Sequence, residues 1–270
     1  SWNGPRDEVL VATKTGYRRT MEVPAFVAPV SDSGESDKQG AGFGVQMSDS
    51  PESDTQGRDS EGCSRRPGEE RQHLQAAGSQ YGWMADSRPE TMIRDAKESA
   101  LHLGVDTLDL LYSHGPDPAV PYEDQCGALK QLLDEGVIKY AGISRVNNEQ
   151  IDLARGIIGS GLVAVQNQFS PSHPDPEHTM EHCAELGLAF VCWSPLGGFL
   201  DTFDQSAYDP FRTVAAQRGC SYQRVVLAWE LTRYERLFTI PSARNPQEIN
   251  DSFAATQLQL TQEELAMLPC

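Results

Sequence analysis

A chain of 270 residues with 39 Asp and Glu against 22 Lys and Arg has a formal net charge of −17, which excludes the basic face that nucleic acid or an anionic membrane requires. Its 39% apolar fraction suffices for one barrel-sized core or two small ones, and no run approaches the ~18 consecutive apolar residues of a membrane span. The start, Ser1-Trp2-Asn3-Gly4, lacks the pattern of a secretory leader, and six scattered cysteines form no CxxC pair, so a cytoplasmic protein with free thiols is expected.

The first apolar run, VLVATKTG, reads as a strand that reaches Lys14 near its end. From about residue 21 to 80 the chain is dominated by Ser, Asp, Glu, Gly and Gln. Such a stretch cannot bury enough apolar surface to offset the entropy of ordering, so a disordered insertion is expected. Its deletion should leave thermal stability unchanged or raised. Order resumes at Ser87-Arg88-Pro89-Glu90, where Ser87 is the expected helix cap and Pro89 sits in the first turn. The following TMIRDAKESALHL places Met92, Ala96, Ala100 and Leu103 on one face, and Gly104 closes the helix.

Five more strands then alternate with helices. TLDLLYSH ends at His114, YAGIS at Ser144, LVAVQN carries Gln166, LAFVCW ends at Trp193, and RLFTIPSAR runs out to Arg244. Helices fit near 122–135, 149–158, 176–186, 207–218, 222–234 and 246–255, with a short one at 262–268. Strand–helix alternation predicts a parallel sheet sheathed in helices. Polar or aromatic residues at the carboxyl ends of apolar strands are the mark of a (β/α) barrel, where working groups come from several strand ends. The expected fold is therefore α/β, a (β/α)8 TIM barrel of which about six of the eight strands are legible. Cys192, inside an apolar run, is expected to be buried. His178 and His182 stand four apart with no further ligand at motif spacing, which predicts a solvated helix face and no metal.

The ordered segments DEVLVATKTG, LGVDTLDLLYSHGPDP, LLDEGVIKYAGIS, VAVQNQFSP, GLAFVCWSPLGG, TIPSARNPQEINDSFAA and LTQEELAML resemble the aldo-keto reductases. The resemblance covers about residues 6–20 and 82–270. It implies one barrel domain over 1–270, interrupted at about 21–80, and reversible hydride transfer between NADP(H) and a small-molecule carbonyl or alcohol. The family's acid–base Tyr is supported by an Asp, a Lys and a His. Lys14 and His114 match the last two. The chemistry explains the set: a carbonyl that accepts hydride gains negative charge on oxygen and needs a proton donor with hydrogen-bonding neighbours.

The Asp and Tyr belong to strands that precede Lys14, and residues 1–8 leave no room for them. Tyr17 and Tyr81 fall on the wrong side of the Lys14 strand. Little or no reductase activity is therefore expected, and the alternative is an inactive remnant that binds a cofactor or partner, or an incomplete gene product. By the same resemblance, Ser144, Arg145 and Gln166 face the nicotinamide carboxamide, with Arg145 where Asn is usual. Trp193 stacks on the nicotinamide, Ser194 and Leu196 line the pyrophosphate path, and Ser242 and Arg244 meet the 2′-phosphate. Glu248 stands where Arg or Gln is common. Without two leading strands, the strands ending at Lys14 and Pro241 would be unpaired edges, so the chain is expected to self-associate.

Overall fold

The computed structural model describes residues 10–19, 83–175, 177–197 and 204–269. The segment expected to be a disordered insertion, and Tyr81, lie outside the described residues.

Six strands form one parallel sheet: β1 (Ala12–Thr15), β4 (Leu108–Ser113), β5 (Ile138–Ser144), β6 (Leu162–Gln168), β7 (Ala189–Trp193) and β8 (Leu237–Thr239), in that spatial order. Sequence order and spatial order agree, as in a barrel wound by successive strand–helix units. Among the described residues, β1 and β8 each pair on one side only. Two short strands, β2 (Tyr17–Arg19) and β3 (Trp83–Ala85), make a separate antiparallel ribbon with Tyr17 opposite Ala85.

The helices are α1 (Pro89–Leu103), α2 (Tyr122–Asp134), α3 (Asn148–Ile158), α4 (Thr179–Glu185), α5 (Asp209–Arg218), α6 (Tyr222–Leu231), α7 (Pro246–Ala254) and α8 (Gln262–Met267). They cover one face of the sheet. The core between includes Met92, Ala96, Leu111, Leu129, Ile143, Val165, Phe190, Cys192 and Phe211. Capping follows local chemistry. Asn147 and Thr261 form reciprocal capping boxes with Gln150 and Glu264, and Ser221 and Asn245 each accept an N–H from the first turn of their helix.

Three local expectations are corrected. Arg88, not Ser87, is the cap residue of α1, because the Ser87 hydroxyl donates to Gly16 O at 3.3 Å. Leu103 is 49% exposed, so the buried stripe of α1 ends at Ala100 before Gly104 turns left-handed at φ 67. His178 precedes α4 with φ 55, while His182 is largely covered and shares a 2.8 Å contact with Asp152 Oδ1 on α3. The two histidines therefore do not form one solvated face. Among the described residues no group of His, Cys, Asp and Glu is arranged to hold a metal ion, and no helix is long and apolar enough to cross a membrane.

Candidate active site

Strand register decides which side chains meet. Lys14 pairs with Tyr112, Tyr112 with Gly142, Gly142 with Ala164 and Ala164 with Ala189, which makes one rank across the concave face. Tyr112 fits there because position 142 has no side chain: a Cβ on Gly142 would lie 2.3 Å from the Tyr112 ring. Two residues nearer the carboxyl ends, Ser144 pairs with Gln166 and Gln166 with Val191. Alternation by two thus lifts Lys14, Ser144 and Gln166 onto one side and towards one end of the sheet.

At that end lies a cavity of about 410 Å³ lined by Lys14, His114, Ser144, Arg145, Trp193, Ser194, Leu196 and Ser242, among others. Lys14 Nζ donates to Gln166 Oε1. Ser144 Oγ donates to Gln166 O at 2.6 Å, and the Arg145 N–H donates to the same carbonyl at 3.2 Å. Burial lowers the Lys14 pKa to about 8, with the Arg145 charge adding to the effect. Burial, then Lys14, then Arg145 lower His114 to about 4, so its imidazole is neutral near pH 7.

His114 is held by the loop after β4. Its N–H donates to Thr15 O at 2.9 Å. Downstream, Asp117 Oδ1 accepts the Ala119 N–H and Oδ2 the Ser87 N–H, at 2.9 and 3.1 Å. Gln125 accepts from the Asp117 N–H at 3.0 Å and donates to Asp117 O and Val120 O. This buried clamp was not visible in the sequence, since Gln125 looks like an ordinary helix residue.

Tyr17 is the second residue that sequence reasoning set aside. Gly16 adopts φ 93, where a Cβ would meet Ser87 Oγ at 2.7 Å, and this turn sets Tyr17 beside His114. The Tyr17 ring centre stands 4.9 Å from that of His114. The Arg145 guanidinium carbon lies 5.8 Å from the Tyr17 ring centre and 5.1 Å from that of Trp193. One face of Trp193 is therefore taken by Arg145, a neighbour the stacking expectation did not include. Arg145 and Ser194 are both left-handed, at φ 58 and φ 50.

A second cavity of about 530 Å³ is lined by Leu196, Ser221, Gln223, Ser242, Arg244, Gln247, Glu248, Asp251 and Ser252. Leu196 and Ser242 line both cavities, so the two make one elongated cleft. At its far end Arg244 is 89% exposed on its side chain and already bridged to Glu248, with Nη2 to Oε1 at 2.9 Å and its N–H to Oε2 at 2.8 Å. The residue expected to receive a phosphate thus faces a carboxylate.

A parallel sheet sheathed in helices, with a cation-lined cleft across its carboxyl ends, is the layout of a (β/α) barrel. The chain belongs to the aldo/keto reductase family, whose model matches residues 1–269. It is 28% identical over 198 residues to pyridoxine 4-dehydrogenase of Escherichia coli K12, covering 71% of this chain and 67% of that protein. It is 27% identical over 209 residues to an aldo-keto reductase of Strobilurus tenacellus, covering 66% and 62% of the two chains. Among solved structures, the aldose reductase of Giardia lamblia superposes with a TM-score of 0.59 at 25% identity, over 67% of each chain. The Bombyx mori aldo-keto reductase in complex with NADP superposes with a TM-score of 0.57 at 24% identity, over 67% of this chain and 62% of that one. The chain spans about three-fifths to two-thirds of the length of these relatives.

Proposed function

We propose that the cleft binds NADP(H) and is laid out for reduction of an aldehyde or ketone, or oxidation of the matching alcohol, in a cytoplasmic setting. The observation that carries this reading is the continuity of the cleft from Lys14 and His114, past Leu196 and Ser242, to Arg244. Its two joined cavities suit an extended dinucleotide, with Ser144, Gln166 and Trp193 at the nicotinamide end and Ser194 and Leu196 along the pyrophosphate. Ser242 and Arg244 would meet the adenosine end, where Glu248 opposes a 2′-phosphate. A bound cofactor supplies the hydride. The protein's own groups then meet the charge that grows on the carbonyl oxygen. Neutral His114 offers an N–H, and Lys14, with a pKa of about 8, keeps its proton at pH 7.

A second reading, a cofactor-binding protein with little turnover, is favoured by one observation: no Tyr and no carboxylate lines the Lys14 cavity among the described residues. Loss of a positioned acid costs about 10²–10⁴ in rate. Titration of the chain with NADPH, followed by NADPH oxidation with a panel of aldehydes and ketones, tests both. Saturable binding with turnover depressed by that factor is the expected result. Absence of NADPH binding overturns the cofactor assignment, and turnover at ordinary enzyme rates overturns the low-activity reading.

A further inference from the structure

The inner cavity of the cleft carries positive charge, and no acid lines it among the described residues. Lys14 and Arg145 line it with His114, in a chain of net charge −17. Elsewhere Arg88 closes on Asp86, Arg218 on Glu264, Arg224 on Asp251 and Arg244 on Glu248, while Arg155 and Arg236 donate to backbone carbonyls and Arg233 lies over Trp229. Arg145 instead rests against two rings, Trp193 and Tyr17. Aromatic faces hold a guanidinium in place and leave its charge uncancelled. Its planar fork is then free to pair with a carboxylate through two parallel hydrogen bonds. The backbone at Arg145 is left-handed, at φ 58, a conformation that most residues avoid and that clusters at functional sites. Its charge also contributes to the lowered proton affinity of Lys14 and His114. Arg145 is therefore electrostatically within reach of both groups that would meet a substrate carbonyl.

We propose that Arg145 anchors an anionic group of the substrate, so that the carbonyl compound accepted by this cleft bears a carboxylate a few atoms from its carbonyl, as in an oxo acid. The proposal rests on the reductase reading of the same cleft. A phosphate of the dinucleotide offers Arg145 similar chemistry, and the test separates the two sources.

Phenylglyoxylate and its methyl ester share their shape and differ in charge. Calorimetric titration of each into the 270-residue chain, with and without NADP⁺, reads the anion directly and needs no turnover. The acid should bind about tenfold tighter than the ester. Arg145→Met should bring the two ligands to near equality, and Arg145→Lys should keep part of the gap. Raising salt from about 0.05 M to about 0.5 M should narrow it. A thermal melt of each variant matching the parent shows that the fold is retained, and the ester affinity serves as an internal control in each. Equal binding of acid and ester to the parent chain overturns the proposal. So does a gap that survives Arg145→Met, or a loss in that variant confined to NADP⁺, which would give Arg145 to the cofactor. A gap that depends on Arg145 in a chain that oxidises no NADPH supports the anion site and removes the reductase reading.

Discussion

The two faces of the six-stranded sheet are built to different standards. On the helix-covered face a continuous core joins residues from every strand from β4 to β8, with Phe190 only 1% exposed. On the concave face the buried cluster is three residues, Leu110, Tyr112 and Ala164. Around it Tyr140 is 45% exposed and Phe238, opposite Val191, is 58% exposed. A closed barrel fills this space with layers of side chains from all its strands. The difference teaches that, among the described residues, the apolar packing of this sheet is mostly against its helices, while the site sits on the less packed face.

Four substitutions test that contrast, and the largest effect belongs to the covered face. Phe190→Ala should lower stability by about 3–5 kcal/mol, the usual cost of emptying a large core position, whereas Phe238→Ala should change it by no more than about 0.5 kcal/mol. Urea titration of both variants measures this, and similar losses would break the comparison.

A flaw within the covered side comes next. Glu230 on α6 is fully buried, and neither carboxyl oxygen has a hydrogen-bond partner among the described residues. Burial raises its pKa well above 4.5, so the folded chain retains a proton that the unfolded chain releases. This group's contribution to stability therefore falls as pH rises from about 4.5. Glu230→Leu should stabilise the fold by about 1–3 kcal/mol at pH 7, with the gain shrinking towards pH 4. A variant less stable than the parent at pH 7 would mean that the carboxyl is satisfied in solution.

The smallest effect on stability, and the sharpest on assembly, is expected at the edge. Phe238→Lys on β8 should leave the unfolding free energy from urea titration within about 0.5 kcal/mol of the parent. In size-exclusion chromatography it should shift the protein from self-associated species towards monomer, since a charge on an open edge blocks pairing. A parent chain that already elutes as a monomer would show that the edge is covered.

The order of elements was legible because each strand and helix carries its own periodicity, and each βα unit is local in sequence. The ribbon of β2 and β3 was not, because Tyr17 and Ala85 pair across more than sixty intervening residues with no pattern to announce the match. Much of the candidate site could be read from strand ends, as with Lys14, His114, Ser144 and Trp193. What escaped was lateral: Tyr17 against His114, the clamp of Asp117 and Gln125, and Arg145 between two rings. Such contacts depend on side-chain direction after a turn, which residue spacing does not encode. Arg244 and Glu248 stand four apart, a helical spacing that permits their bridge but does not decide between it and a phosphate.

Arg145 and Ser194, the left-handed residues that follow β5 and β7, also bear on how this chain can drift. A non-glycine residue in that conformation gives up about 1–2 kcal/mol, which Gly would recover and Asn would recover in part. A lineage with no use for the cleft would gain stability by taking Gly at either position. The guanidinium and the hydroxyl that stand there carry a backbone cost that a ligand held by them would offset.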